Sequence, residues 1–331
     1  MASAPLTLIT PKFVFAYPLS PNVNDYRCVV NATGDAVIVE RTVLNNGGGK
    51  PQLYLVDLAS GAATSLLPSL DVTTRPDWCW QTGAVAFNYS EVQRVGVLAA
   101  MGDTPKLFPN TTTMDYPTWF PDGDKLATES SAPVPGMNYP LPNTTTIDRS
   151  NGVIIAAVLE GTNLYGGMPS VNPMWPNLIA FAGQPIGSPY DQDMNYIWVK
   201  DTSSSEPATP LEYNAPATGD YCPAFQGRAP WWSPDGKWVV FESNRGCQPS
   251  TTYPDGMYVL YLYEYGVTSP AFAITEWTYN CNHAKWFPNG FSGAPGSFQL
   301  IVAAWQNGGT TPPSGPYGLS VLDLTPLGIT F

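Results

Sequence analysis

Short apolar runs recur along the whole chain, each bounded by Gly, Pro, Asn, Asp or Ser. Examples are Ala36-Val-Ile-Val-Glu40, Ala84-Val-Ala-Phe87, Leu178-Ile-Ala-Phe181 and Trp238-Val-Val-Phe-Glu242. Runs of this length, rich in β-branched and aromatic residues and closed by turn formers, predict strands rather than helices. None reaches the roughly 18 apolar residues of a membrane-spanning helix.

The runs are organised by a repeat. Tyr-Pro-Thr-Trp-Phe-Pro-Asp-Gly-Asp at 116–124, Ala-Pro-Trp-Trp-Ser-Pro-Asp-Gly-Lys at 229–237 and His-Ala-Lys-Trp-Phe-Pro-Asn-Gly at 283–290 are versions of one phrase. Trp119, Trp175, Trp232 and Trp286 stand 56, 57 and 54 residues apart. Each phrase predicts a first strand ending in a tight turn, where Asp-Gly or Asn-Gly supplies the positive φ that a hairpin requires. A second strand, a variable loop, a third strand and a weaker fourth follow. First, second and third strands are expected at 28–34, 36–40 and 52–58; at 78–83, 84–87 and 95–99; and at 119–123, 125–128 and 152–158. The remaining sets are 174–177, 178–181 and 196–200; 231–236, 238–242 and 257–263; and 285–290, 298–303 and 317–323. A repeat of this length predicts an all-β, six-bladed β-propeller of four-stranded antiparallel blades. It is expected to occupy 1–331 as a single domain. Residues 1–20 are the closing segment, whose strand at 12–17 joins the last blade and removes its open edge.

The Trp-x-Pro-Asp-Gly phrases resemble the repeats of the TolB-like propeller family, relatives of the WD-repeat type. The resemblance covers most of the chain. It is strong in blades 3, 5 and 6, fair in blade 1 and degenerate in blades 2 and 4. It implies the propeller fold, and a family that includes partner-binding scaffolds, the propeller halves of oligopeptidases and some lyases. Six blades leave no room in these 331 residues for TolB's extra N-terminal domain or for a hydrolase domain.

Composition narrows the partners. Only 12% of residues are charged, and 26 acidic against 14 basic residues give a net charge of −12. That disfavours nucleic acid and anionic membranes, whose binding needs clustered Lys and Arg. The expected partner is a small molecule, glycan or peptide, bound by a monomer. The first residues show neither a basic n-region nor an apolar h-region, as in a cytoplasmic chain or a secreted one whose signal has been removed. Sequons at Asn31, Asn88, Asn110 and Asn143 would suit the second case. The five cysteines form no Cys-x-x-Cys. Cys28 and Cys79 read as buried, and Cys222 and Cys247 as a candidate bridge between two loops.

In a four-stranded blade, the connections into strand 1 and those joining strands 2 and 3 share one face. The long segments here, at 45–49, 129–149, 183–195, 243–256 and 306–316, belong to that face, which makes it the expected binding surface. The entries to the first strands would ring the axial channel with Asp25, Tyr26, Arg27, Arg75, Asp77, Asp115, Tyr116, Tyr165, Arg228 and His283. Tyr221, Glu276, Trp277, Tyr279 and Asn282 are expected beside them as further ligand-binding candidates. The bland reading of the charged members is that they pair and tie neighbouring blades together.

His283 is the only histidine, which excludes any multi-histidine metal site. It is also the only available imidazole base, with Asp115, Tyr116 and Tyr279 as candidate catalytic partners; no Gly-x-Ser-x-Gly elbow accompanies it. Asp191, Asp193 and Asn195 alternate like the start of a calcium loop, but Tyr196 replaces the turn glycine, so a polar loop is the default. No cofactor is called for. The leading expectation is therefore a recognition propeller binding a peptide, protein segment or glycan at the long-loop face and central funnel. The alternative is a metal-free lyase, isomerase or hydrolase using His283 with a tyrosine and an aspartate. A purely structural scaffold is the third reading.

Overall fold

The computed structural model describes residues 8–15, 22–44, 49–132, 140–186, 196–211, 227–244, 258–288, 298–306 and 316–329. Six antiparallel four-stranded sheets make up the ring of a six-bladed β-propeller. Blade 1 consists of Val23–Val30, Ala36–Val43, Pro51–Asp57 and Ala63–Ser65, and blade 2 of Thr73–Trp78, Val85–Tyr89, Arg94–Leu98 and Lys106–Leu107. Blade 3 holds Asp115–Trp119, Lys125–Ala132, Leu141–Asp148 and Ile154–Ala157, and blade 4 Leu164–Val171, Leu178–Pro185, Tyr196–Asp201 and Thr209–Pro210. Blade 5 has Gly227–Trp232, Trp238–Ser243, Val259–Glu264 and Phe272–Ala273. Blade 6 has Tyr279–Trp286, Gln299–Gln306 and Gly318–Asp323, and takes its outermost strand, Lys12–Phe13, from the other end of the chain. The only helix among the described residues is the short 3-10 turn Thr325–Leu327.

The second strands are buried on both faces, which is why they read as unbroken apolar runs rather than as alternating ones. The core lies between successive blades. Cys28, Val37, Val39 and Val56 of blade 1 pack on Phe287, Ile301 and Leu319 of blade 6. Ala180, Ala182 and Ile197 of blade 4 pack in the same way on Trp232, Val239 and Phe241 of blade 5. Polar staples cross the same seams. The Trp80 indole N–H donates to Val30 O at 2.9 Å, Asn172 Nδ2 to Gly236 O at 2.8 Å, and Trp286 Nε1 to Trp231 O at 3.1 Å. The Asn88 amide donates to Met114 O at 2.9 Å and is buried, so this sequon is not an acceptor in the folded chain. The ring closes where Asp25 N–H donates to Tyr317 O at 3.0 Å and Tyr317 N–H to Asn24 Oδ1 at 2.8 Å.

Three expectations change. In blade 3 the segment 129–149 is not one long loop. Lys125–Ala132 and Leu141–Asp148 form a continuous ladder from Lys125↔Asp148 to Ala132↔Leu141, and Ile154–Ala157 is the fourth strand, not the third. The signal was the run Thr144-Thr-Thr-Ile147, β-branched throughout, masked by Pro142 and Asn143.

Trp175 is not a blade anchor. The position matching Trp78, Trp119, Trp232 and Trp286 in blade 4 is Val171, which pairs with Ile179. Trp175 lies in the following turn, its N–H donating to Asn172 Oδ1, and is 48% exposed. The regular Trp spacing was therefore partly accidental.

The third change concerns the entry residues. Apart from Glu276 and Trp277, the described candidates lie inside the first strands rather than in loops leading to them.

Replacing Trp286, which is 1% exposed, with alanine is expected to cost about 3–5 kcal/mol in chemical denaturation. Trp175→Ala should stay within about 0.5 kcal/mol of the parent. Equal losses would return Trp175 to the blade core.

Candidate functional site

Each first strand breaks its ladder at one place. Register shifts fall between Asp25 and Cys28, Thr74 and Asp77, Asp115 and Thr118, Gly167 and Ser170, Arg228 and Trp231, and Asn282 and Lys285. In blades 2 to 6 the first residue of the break is left-handed although none is glycine: Arg75 (φ 52°), Tyr116 (47°), Met168 (51°), Ala229 (48°) and His283 (52°). Such conformations cost of order 1–3 kcal/mol each and persist only where the surroundings impose them. Pro76, Pro117, Pro169 and Pro230 follow in four blades. A proline has no N–H to lose from a ladder, so a bulge is where a strand tolerates it. These five residues and Arg27 of blade 1 line the axial channel together.

Three of the released amides are taken up by glutamates from the preceding blade, whereas Tyr116 N–H donates to Asp115 Oδ1 at 2.9 Å. Arg75 N–H donates to Glu40 Oε2 at 3.1 Å, Met168 N–H to Glu129 Oε2 at 3.1 Å, and His283 N–H to Glu242 Oε2 at 2.8 Å. The three glutamates stand in the second strands of blades 1, 3 and 5, so alternate seams carry the clamp. Gly167 leaves space for one of them, since a Cβ there would overlap the Glu129 carboxylate.

The channel wall is cationic and aromatic, balanced from behind by these acids. Arg27 pairs with Glu40 at 2.9 Å, Arg228 with Glu242, and Arg75 with Asp115. The guanidinium of Arg75 lies 4.2 Å from the Tyr116 ring centre, that of Arg27 4.7 Å from Tyr26, and that of Arg228 3.8 Å from Tyr258. Tyr26 meets His283 edge-on at 4.8 Å and lies 5.1 Å from Tyr317. Arg228 also donates to Asn282 Oδ1 at 3.0 Å.

Burial, together with Arg27, Arg228, Lys285 and Arg75, holds the His283 imidazole well below its usual range, so it is neutral at pH 7. Burial and neighbouring Asp115 push Glu129 up to about 7, against the lowering effects of Arg75 and the Met168 N–H. Among the described residues, three buried polar atoms of this wall have no hydrogen-bond partner: Arg27 Nε, Arg75 Nε and His283 Nε2. The cavity that these residues line is about 50 Å³, room for a few waters or one side chain.

The structure brings together Tyr26, Arg27, Arg75, Asp115, Tyr116, Arg228, Asn282 and His283. Other candidates fall elsewhere. Asp25 is buried in a two-bond ion pair with Arg41, at 2.6 and 2.8 Å. Asp77 faces the opposite end of the channel and accepts Trp119 N–H at 2.7 Å. Tyr165 is buried in blade 4, and Tyr279 packs on the blade 6 core. Glu276 and Trp277 stand in the turn between blades 5 and 6; Trp277 packs on the blade 4–blade 5 core and does not line the channel. Tyr221, Asp191, Asp193, Asn195, Cys222 and Cys247 lie outside the described residues, among which no metal-binding cluster of acids, His and Cys occurs.

Sequence reasoning missed Glu40, Glu129, Glu242, Tyr258, Lys285 and Tyr317. For the glutamates a signal existed: each is the fifth residue of a second strand, a charge ending an otherwise uncharged or nearly uncharged run.

The architecture is that of a six-bladed propeller with an axial channel, and solved structures share the fold. No protein-family model matches the sequence, and no curated protein is significantly similar to it. A protein assigned as TolB from Agrobacterium tumefaciens superposes with a TM-score of 0.60 at 15% identity, over 94% of this chain and 92% of that one. TolB from Acinetobacter baumannii gives 0.50 at 14% identity, over 91% of this chain and 63% of that one. The uncomplexed acylaminoacyl peptidase of Pyrococcus horikoshii gives 0.51 at 11% identity, over 95% of this chain but 52% of that one. In fold, the chain is a TolB-like propeller.

A raised carboxyl favours its protonated form in the folded state. The stability from neutral Glu129 is therefore complete below its ordinary value of 4.5 and is lost as pH rises through about 7. Glu129→Gln, which keeps an acceptor for Met168 N–H, is expected to hold its melting temperature better than the parent between pH 5 and pH 8. Parallel melting curves across that range would refute this assignment.

Proposed function

We propose that the chain is a binding propeller whose polar channel mouth receives a peptide or protein segment, gripping one acidic side chain or carboxyl terminus. The observation carrying this reading is that Arg27, Arg75 and His283 line one narrow cavity while Arg27 Nε, Arg75 Nε and His283 Nε2 are buried with no hydrogen-bond partner among the described residues. Buried donors without acceptors are costly, and a carboxylate placed among them relieves that cost with charge-assisted bonds. The strained ring supports the same reading. Left-handed residues presenting Arg, Tyr and His to one cavity form a preorganised wall, so little ordering is left for the moment of binding. The likeness in fold to TolB structures is compatible with a protein partner.

The alternative, acid–base catalysis through His283, has less support. Among the described residues, Nε2 is unpartnered and no hydrogen bond joins the imidazole to a carboxylate that would orient it.

The test is a peptide library presented with free and with amidated carboxyl termini, read by fluorescence anisotropy. Binders are expected to carry an acidic group, and Arg75→Gln should weaken them at least tenfold. Retention of binding by Arg75→Gln and by His283→Phe would overturn the reading.

A further inference from the structure

The opposite end of the channel, on the side of the turns between first and second strands, differs in character. There a cavity of about 200 Å³ is walled by Trp78, Trp80, Trp119, Trp231, Trp232 and Trp286. Four of these rings are locked by their own indole N–H groups: Trp78 donates to Gly83 O at 3.0 Å, Trp80 to Val30 O at 2.9 Å, Trp119 to Asp77 O at 3.2 Å and Trp286 to Trp231 O at 3.1 Å. Trp232 is 2% exposed and its Nε1–H has no acceptor. Asp77 and Lys285 lie in the lining beside Cys79, Gln81 and Thr118, and Lys285 is shared with the other end of the channel.

We infer that this vestibule is a second binding site, separate from the polar mouth, and that its ligand is a pyranose residue of a glycan. The partly exposed rings of Trp78, Trp80 and Trp231 offer rigid apolar area, which suits the C–H faces of a sugar ring. Lys285 Nζ and the Asp77 carboxylate supply a donor and an acceptor for ring hydroxyls, the usual pattern of an apolar site with a few convergent polar groups. A purely hydrocarbon ligand would strip water from Lys285 and Asp77 without replacing it. A cationic ligand finds the Trp231 ring face already covered by Lys285 Nζ.

The experiment titrates the intact chain with methyl glucopyranoside, methyl galactopyranoside, methyl mannopyranoside and cellobiose, with tetramethylammonium in parallel. Binding is read by tryptophan emission and by saturation-transfer NMR. At least one pyranoside is expected to bind, to protect tryptophan from acrylamide quenching, and to lose affinity at least tenfold in Trp78→Ala. Arg75→Gln, at the other end of the channel, should bind it as the parent does, so this site and the peptide site fail independently. Should Trp78→Ala not fold, Trp78→Phe and the acrylamide protection of the parent decide. Three outcomes would overturn the inference: no pyranoside binding at tens of millimolar, binding of tetramethylammonium alone, or pyranoside binding indifferent to position 78.

Discussion

The innermost strand of each blade surrenders its ladder where it faces the axis, and the structure depends on how the freed amides are satisfied. A buried N–H without an acceptor is expensive, and a non-glycine residue in the left-handed region adds its own cost. Glu40, Glu129 and Glu242 meet this demand from the neighbouring blade, so one carboxylate at once seals a seam, fixes a bulge and lies beside the channel. Glu40 and Glu242 also pair with Arg27 and Arg228, which sets those guanidinium groups against the channel wall. The charges that the bland reading assigned to blade–blade ties are therefore the same charges that shape the cavity, and the two readings are not alternatives.

This arrangement gives the channel two chemically distinct ends. Toward the expected binding face, arginine, tyrosine and a neutral histidine surround a space that admits one side chain. Toward the turns, tryptophans held by their own N–H groups surround a larger one. The difference follows from position along the same strand. Residues at the break turn inward as Arg27, Arg75, Tyr116 and His283, and residues beyond it return to the pleat as Trp78, Trp119, Trp232 and Trp286. The repeated tryptophan is thus a structural residue, buried in the blade core at Trp119, Trp232 and Trp286.

Much of the fold was legible because the second strands are buried on both faces and the Asp-Gly turns need positive φ, both of which leave plain marks in a sequence. Gly34, Gly83, Gly123 and Gly236 take that conformation at the expected turns. Less of the site was legible. The bulge has a short signature, a residue followed by proline two positions before the anchor tryptophan or its equivalent, but it reads equally as a strand entry. Trp175 misled because a turn residue fell by chance at the repeat distance. Glu129 escaped notice because its importance lies in a hydrogen bond to Met168 of the next blade, a contact between residues far apart in sequence. Glu276 and Trp277 looked like channel residues only because a turn next to the first strand was taken to face the axis.

The central claim, that the glutamate clamps hold the channel wall in its strained form, is tested most directly by native-state amide hydrogen exchange at Arg75, Met168 and His283. All three amides are expected to exchange slowly, near the global unfolding limit. Replacing Glu40, Glu129 or Glu242 singly with leucine should release only the amide that each one accepts. Fast exchange at these sites in the parent chain, or protection that survives loss of the partnered glutamate, would contradict the account.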